Sequence, residues 1–565
     1  MRRKRPPAVT SAAASRPQPA PPGSRARRSG PLRLLLAAGS VLALVLACVG
    51  LLPAAAQAAG TRPCDIYGAA GTACVSADST VRALYASYDG PLYQVTRVSD
   101  GTTKDIGVLA AGGYADAAAQ DAFCAGTDCT ITRIYDQSPR HNDLTVEPAG
   151  TQGAADHGAD ADALPVTVSG HRAYGVLVSP GVGYRHTDAA GVAVGGQAES
   201  MYMVASGTHV NNGCCFDYGN AEHTVTDTGN GHMDAVYLGQ RCHNPPCTGA
   251  GPWVAGDLEN GLYQGSGNNP ADLGNASPFV TALLKNNGQT AFALKGGNSQ
   301  TGPLSTWWNG PLPAGGYTPM QLEGSIVLGT GGDNSNAAAG SFFEGVMTSG
   351  FATDAADNAV QANIVAAGYA GNSSGIYGGT VTGPGSTCVD VAGDDVGADH
   401  TAVQLWQCQS YAVDQHWTHN ADNSLETLGR CLDIMGNGTA NNTKVQLWDC
   451  DGAGGQKWVQ QADGSLLNPQ SGRCLDSPSG ATANGTRLQI WDCDGAAAQH
   501  FTLNQPEYTS SPAVRRPAHH PSHRPSHRSA HQPAHRPDSS RPGHAARHEP
   551  RPATGRGRQD QGARA

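Results

Sequence analysis

Cys388-Val-Asp390 with Gln404-Leu-Trp406, Cys431-Leu-Asp433 with Gln446-Leu-Trp448, and Cys474-Leu-Asp476 with Gln489-Ile-Trp491 are three copies of one pattern, and they decide the fold of residues 380–505. The first cysteines recur every 43 residues. A unit of that length cannot bury a core alone, so three units must share one, which predicts a β-trefoil. In each unit a second cysteine stands two residues after the tryptophan. Cys388–Cys408, Cys431–Cys450 and Cys474–Cys493 would therefore each close a loop of about twenty residues and staple their own unit. Taken alone, Gln-x-Trp is also what core packing would use. Three copies in register, each with an Asp upstream, ask for a further reason.

Upstream of the trefoil, residues 59–371 lack long helical periodicity. Short apolar runs such as Ala173–Val178, Met201–Ala205, Phe279–Leu284 and Ser325–Leu328 alternate with Gly, Asn, Asp and Pro clusters, and strands joined by turns at this density predict a β-sandwich. The fold class is thus all-β, a β-sandwich followed by a β-trefoil. Helices are expected at Thr80–Tyr88 and at Ala355–Ala367, the latter capped by Asp354. The Gly- and Ser-rich stretch 372–379 reads as a short flexible linker. Residues 506–565 turn abruptly to Pro, His, Arg and Ala with eight histidines, a composition that cannot offset the entropy of folding.

The N-terminus sets the compartment. Nine basic residues and no acidic one precede the apolar run Leu34–Leu52 and the small-residue site Ala56-Gln57-Ala58, so residues 1–58 read as a long signal peptide. A run of that length would also suit a membrane anchor, but the cleavage-like site favours removal. The protein is expected to be secreted, with no stable membrane association and as a monomer. Cys48 leaves with the signal, and the remaining fourteen cysteines can all pair outside the cell. Cys64–Cys74, Cys124–Cys129 and Cys242–Cys247 are short local loops. Cys214 and Cys215 remain, bonded to each other unless each crosses to Cys242 or Cys247. No cysteine pairs stand at zinc-finger spacing, so neither metal nor other cofactor is expected.

Charge excludes partners. Net charge is −10 for the whole chain, and about −26 for residues 59–505 once the nine cations before residue 58 and the net seven after residue 505 are set aside. Such a body repels nucleic acid and anionic lipid, whereas a neutral polysaccharide meets no barrier.

Sugar hydrolysis requires two carboxylates flanking one bond. In Gly256-Asp-Leu-Glu-Asn-Gly261, a strand would put Asp257 and Glu259 on one face and Leu258 in the core. In Gly331-Gly-Asp-Asn-Ser-Asn336, glycines after an apolar strand allow close backbone approach to a ligand and present Asp333. Both segments are also ordinary turn chemistry.

At these residues two resemblances enter. The run Gly213-Cys-Cys-Phe-Asp-Tyr-Gly-Asn-Ala-Glu222, with Thr228–Met233, Asp257–Gly261, Gly331–Asn336 and Gly345–Gly350, resembles the α-L-arabinofuranosidase B family, glycoside hydrolase family 54, from Cys64 to about Tyr369. The resemblance implies a β-sandwich and a retaining mechanism with Glu259 as nucleophile and Asp333 as general acid/base. It also implies Asp257, Asn260 and the Gly332 backbone as sugar ligands, and a bonded Cys214–Cys215 pair as a flat sulfur surface under the arabinose ring. The trefoil resembles the ricin-B-type lectins. There Asp390, Gln404 and Trp406, with Asp433, Gln446 and Trp448 and with Asp476, Gln489 and Trp491, would hold sugar hydroxyls and stack on a sugar face. Asp414 gives the first repeat the fullest polar set. One departure stands out. Where the family carries a tryptophan before Gly-Pro-Trp, this chain has Gln240-Arg-Cys-His-Asn-Pro-Pro-Cys-Thr-Gly249 with no aromatic, which leaves leaving-group preference open.

The expectation is a secreted exo-acting α-L-arabinofuranosidase that removes side chains from arabinoxylan or arabinan and is held on the polysaccharide by its trefoil. β-Xylosidase activity and a non-catalytic lectin are the alternatives.

Overall fold

The computed structural model describes residues 61–504 apart from 243–246 and 394–398; the expected signal segment and the basic tail lie outside the described residues. Two antiparallel sheets make the front domain. The smaller is built around Cys74–Ser79, Gly340–Ser349, Glu199–Ala205, Val280–Asn286, Ala291–Asn298 and Thr301–Pro311, neighbours in that order. The larger runs Leu262–Tyr263, Trp253–Asp257, Asp234–Gly239, Asp217–Ala221, Ser325–Leu328, Tyr184–His186 and on to Thr103–Gly107. One core joins them: Met201, Leu284 and Phe342 from the first sheet pack with Tyr218, Val236 and Val254 from the second.

Alternation along the larger sheet assigns its two faces. Tyr218, Val236 and Ile326 point into the core, so their neighbours point away from it. Strand register aligns those neighbours into one row, Asp257–Ala235–Gly219–Val327–Arg185, running across five strands. The middle of that row is small, which leaves a floor on which carboxylates and a ligand can sit. Gly219 is required at this position, since its backbone at φ 156° would turn a Cβ back toward the core, within 2.5 Å of the Met201 sulfur and 2.6 Å of the Ala235 Cα.

Three local expectations are corrected. Residues 80–88 form no helix: the Ser79 hydroxyl accepts from the backbone N–H groups of Val81 and Arg82, Ala83 N–H donates to Gly113, and Leu84 N–H donates to the Gln137 side chain. With its donors so engaged, the segment packs Val81 and Leu84 into the core as irregular backbone. The second helix spans Asp354–Ala366, but its cap is Thr353, whose hydroxyl accepts from Ala356 N–H. Asp354 sits in the first turn and binds the ammonium groups of Lys285 and Lys295.

The linker is the third correction, because it is docked rather than flexible. Ser373 is buried and its hydroxyl bonds that of Ser206, while Asn372 donates to the carbonyl of Ile376. Beyond it the trefoil lies against the sandwich. Val413 packs on the sandwich core, and the guanidinium of Arg430 joins Asp128 of the sandwich to Asp399 and Asp449 of the trefoil.

Within the trefoil the three repeats pair their marker residues in the same strand register, although the first cysteine loop spans 20 residues and the other two 19. Cys388 faces Trp406, Cys431 faces Trp448 and Cys474 faces Trp491, while each Asp faces its Gln. The shared core is filled instead by Trp417, Trp458 and Phe501 with Leu405, Leu447 and Ile490. The tryptophans of Gln-x-Trp therefore stay outside it. All seven disulfides are formed: Cys64–Cys74, Cys124–Cys129, Cys214–Cys215, Cys242–Cys247, Cys388–Cys408, Cys431–Cys450 and Cys474–Cys493.

Candidate functional site

A cavity of about 240 Å3 opens on the outer face of the larger sheet, and Cys214, Cys215, Asp257, Glu259, Asn260, Gly332 and Asp333 all line it. Three loops bring them there. The first follows Trp253–Asp257. It does not continue as a strand, so the two-residue alternation expected for Asp257 and Glu259 is corrected: Glu259 and Asn260 adopt positive φ of 63° and 55°. Leu258 N–H donates to the carbonyl of Gly261 and Glu259 N–H to Oδ1 of Asp257, so a turn, not a pleat, brings the two carboxyls together. Side chains rarely adopt such backbone, and it persists where its surroundings hold it. Here Leu258 is fully buried and its carbonyl receives Gly231 N–H, while Tyr317 donates its hydroxyl to the carbonyl of Glu259.

The second loop follows Ser325–Leu328 and carries Asp333. Its Oδ1 accepts from the N–H and the hydroxyl of Ser335, at 3.1 and 2.7 Å. Asn334, at positive φ, reaches across to the carbonyls of Pro148 and Ala154. The third piece is the disulfide-bonded pair before Asp217–Ala221. Cys215 N–H donates to the carbonyl of Ser335, tying this segment to the Asp333 loop, and the Cys215 sulfur lies 3.3 Å from Oδ2 of Asp257. These two sulfurs and Asp257 are the one grouping of metal-type donors among the described residues. Sulfurs bonded to each other are not thiolates, so they do not make a metal site.

The carboxyls are more numerous than the sequence reading named. Asp217 and Glu222, both fully buried, stand behind Asp257 and Glu259. No N–H or hydroxyl of another described residue reaches either oxygen of Asp217 or of Glu222. Their hydrogen-bonding neighbours are other carboxyls, Asp257 for Asp217 and Glu259 for Glu222. Burial raises the pKa of all four, and the charges of neighbouring carboxylates in the cluster add to it, so each pair keeps a shared proton. Asp257 is pushed up to about 7. A signal for these acids was present in the sequence: Asp217 and Glu222 interrupt the run from Cys215 to Glu222, which otherwise reads as a buried strand.

The cation nearest this cluster is already engaged. Arg185, buried, donates Nε to Glu147, Nη1 to the carbonyl of Glu222 and Nη2 to the carbonyl of Gly332. It thereby fixes the backbone of the two loops while leaving the four carboxyls to one another. At the mouth, Arg241 lines the cavity beside the Cys242–Cys247 loop, in the stretch that carries no aromatic.

In the trefoil, Gln404 Nε2 donates to Asp390 at 2.7 Å, Gln446 to Asp433 at 3.2 Å and Gln489 to Asp476 at 2.8 Å. The three repeats are not equally open. Asp476, Gln489 and Trp491 line a cavity of about 630 Å3, and Trp491 is 39% exposed. In the second repeat the His400 ring stands edge-on to Trp448 with centroids 4.4 Å apart. In the first, Asp414 is buried and lines a narrow gap against Ser179, Pro180 and His209 of the sandwich.

Residues 63–370 match the family described as alpha-L-arabinofuranosidase B, catalytic, and residues 378–501 match the ricin-type beta-trefoil lectin domain. A probable alpha-L-arabinofuranosidase B of Aspergillus fumigatus is 54% identical over 346 residues, 60% of this chain and 67% of that protein. An arabinofuranosidase/B-xylosidase of Trichoderma koningii is 55% identical over 326 residues, 56% of this chain and 65% of that protein. Among solved structures, an arabinofuranosidase complexed with arabinofuranosyl-alpha-1,2-xylobiose aligns with a TM-score of 0.56 and 38% identity, over 78% of this chain and 98% of that one.

Proposed function

The chain belongs to the α-L-arabinofuranosidase B family of glycoside hydrolases, and from that premise we propose that it is a secreted, retaining exo-α-L-arabinofuranosidase that removes side chains from arabinoxylan or arabinan. The observation that carries the reading is that Glu259, Asp333 and the five proposed sugar-contacting residues, drawn from three separate loops, line one cavity. A non-catalytic lectin would have no use for two acid pairs buried beneath its pocket.

In the first step Glu259 attacks the anomeric carbon as a carboxylate. The glycosidic bond breaks and the leaving oxygen takes the proton of Asp333. In the second, Asp333 accepts a proton from water, water attacks the same carbon, and the ester bond to Glu259 breaks. Asp333 is suited to this exchange, because its loop holds one oxygen on Ser335 and leaves the group at the cavity wall. Asp257, Asn260 and the Gly332 backbone hold the sugar, whose apolar face lies on the Cys214–Cys215 sulfurs. The trefoil binds the polymer through its third repeat, whose Asp476, Gln489 and Trp491 face an open cavity, and this second point of attachment beside the active site raises the local concentration of side chains.

Rates on 4-nitrophenyl α-L-arabinofuranoside and on 4-nitrophenyl β-D-xyloside test the reading. Turnover of the first with Glu259→Gln nearly inactive supports it, and no turnover of the first sinks it. β-Xylosidase activity is the second reading, favoured by the double name of the Trichoderma koningii relative. It prevails if the xyloside is the better substrate.

A further inference from the structure

Glu222 has no part in the chemistry described above, yet its side chain lies directly beneath it. It is fully buried, and a Cβ added to Gly332 would fall 1.7 Å from its Oε2, so its carboxyl is pressed against the Asp333 loop. Apart from its own backbone N–H, no N–H or hydroxyl of the described residues reaches its oxygens, and the one other group that hydrogen-bonds its carboxyl is the carboxyl of Glu259. Two carboxylates cannot face each other in a dry site with both charged, so one proton must lie between them.

We propose that Glu222 is a positioning residue that stays protonated through the cycle and donates its O–H as a hydrogen bond to the Glu259 carboxyl. The proposal rests on the reading of Glu259 as nucleophile, which requires the proton to sit on Glu222. Before attack the bond holds the non-attacking oxygen of Glu259 and leaves the other free for the anomeric carbon. In the glycosyl-enzyme the same oxygen is the ester carbonyl and still accepts from Glu222. When water displaces the sugar, the electron pair of the C–O bond returns to Glu259 and the hydrogen bond stabilises the carboxylate that leaves. The Glu222 proton is never transferred.

The groups around the pair act on Glu222 in opposite senses: burial, the larger effect, and Asp333 oppose its charge, whereas the Arg185 guanidinium favours it. Arg185 spends Nη1 on the backbone carbonyl of Glu222 and Nε on Glu147, so it draws the segment in without replacing the carboxyl–carboxyl bond. The other carboxyls facing the pair, Asp257 and Asp227 beside Glu259 and Asp333, Asp217 and Glu147 beside Glu222, add negative charge and oppose ionisation of both members. Alone in the cluster, Glu222 is buried, has no donor beyond its own backbone and is in contact with the attacking group.

The experiment compares Glu222→Gln and Glu222→Ala in the full chain on 4-nitrophenyl α-L-arabinofuranoside across pH. The amide keeps an N–H donor, so Glu222→Gln should hold kcat within about tenfold of the parent and leave the acidic limb of kcat/KM in place. Glu222→Ala removes the donor, and kcat should fall about a hundredfold with KM little changed, as for loss of one preorganised donor to a developing charge. Its acidic limb should move to higher pH, because a carboxylate that loses a hydrogen bond in a dry site is harder to ionise. If Glu222→Gln shifts the acidic limb downward, Glu222 was ionised in the parent and the proposal is overturned. It is equally overturned if folded Glu222→Gln is inactive or if Glu222→Ala keeps the parent kcat. Should Glu222→Ala fail to fold, the Glu222→Gln profile alone decides. Labelling with an arabinofuranose-configured cyclic sulfate separates the two readings: a label on a residue other than Glu259 removes the nucleophile assignment, whatever the Glu222 variants do.

Discussion

Gly332→Ala should disable the enzyme through a side chain that no substrate touches. The added methyl would begin 1.7 Å from Oε2 of Glu222 and 2.7 Å from its carboxyl carbon, whereas real Cβ contacts lie beyond about 3.0 Å. Glu222 must therefore retreat by roughly 1.3 Å, or the Asp333 loop must lift. Neither is easy, since Glu222 is fully buried and Arg185 holds both the Gly332 and Glu222 carbonyls. Overpacking of this kind costs about 1–3 kcal/mol, and each kcal/mol lowers Tm by roughly 2–4 °C for a domain of this size. The larger effect should be on rate, because displacing a reacting group by about 1 Å can cost about a hundredfold. Gly331→Ala is the internal control. Its methyl would meet Ser335 Cβ at 3.2 Å and nothing closer, so it should lose far less. Calorimetry and kcat/KM on 4-nitrophenyl α-L-arabinofuranoside measure both quantities. A folded Gly332→Ala enzyme with parental kcat/KM, or two glycine variants of equal activity, would refute the reasoning.

Trp491→Ala should keep parental activity on the nitrophenyl glycoside and lose retention on insoluble arabinoxylan, with Trp406→Ala retaining more; equal pull-down by the two variants would contradict the assignment of the open third repeat. Arg430→Ala should cost about 2 kcal/mol, less than the ~3–5 of a fully buried pair because Asp449 is about half exposed, and should split one calorimetric transition into two as the trefoil uncouples. Burial holds Asp234 and Asp272 protonated up to about 7, so the folded chain retains protons that the unfolded chain releases near 3.8. Stability should therefore fall as pH rises from about 4 to about 7 and level off above. In the acid direction the two lysines that bind Asp354 hold it down to about 2, so its contribution is present above the unfolded pKa and lost as pH falls below it. Tm should accordingly be higher at pH 5 than at pH 8, and Asp272→Asn should narrow that gap; a Tm that rises steadily with pH would contradict it.

The trefoil was legible because its signal is a repeat: Cys, Asp, Gln and Trp recur in the same order at offsets that agree to within one residue, and the fold returns them to equivalent register with Asp390 facing Gln404, Asp433 facing Gln446 and Asp476 facing Gln489. Which repeat stays open was not legible, because Asp414 is closed off by Ser179 and Pro180, residues more than two hundred positions away. Asp257 and Glu259 were found for a reason that fails in detail, since a turn with two positive φ residues replaces the pleat that spacing suggested. Local composition also misread 80–88, where apolar spacing suits a helix but Ser79, Gly113 and Gln137 capture the backbone donors. The linker's Gly and Ser content promised freedom that the Ser206–Ser373 bond removes. Glu222 and Asp217 went unnamed because the carboxyls they face, Glu259 and Asp257, belong to a later segment that only the fold brings beside them.

The most direct test of the account is the anomeric configuration of the first-formed product, followed by proton NMR during hydrolysis of 4-nitrophenyl α-L-arabinofuranoside before mutarotation. Attack by Glu259 followed by water activated at Asp333 inverts the anomeric carbon twice, so α-L-arabinofuranose should appear first. Initial release of the β-anomer would mean that water attacks directly, and that Glu259 is not the nucleophile.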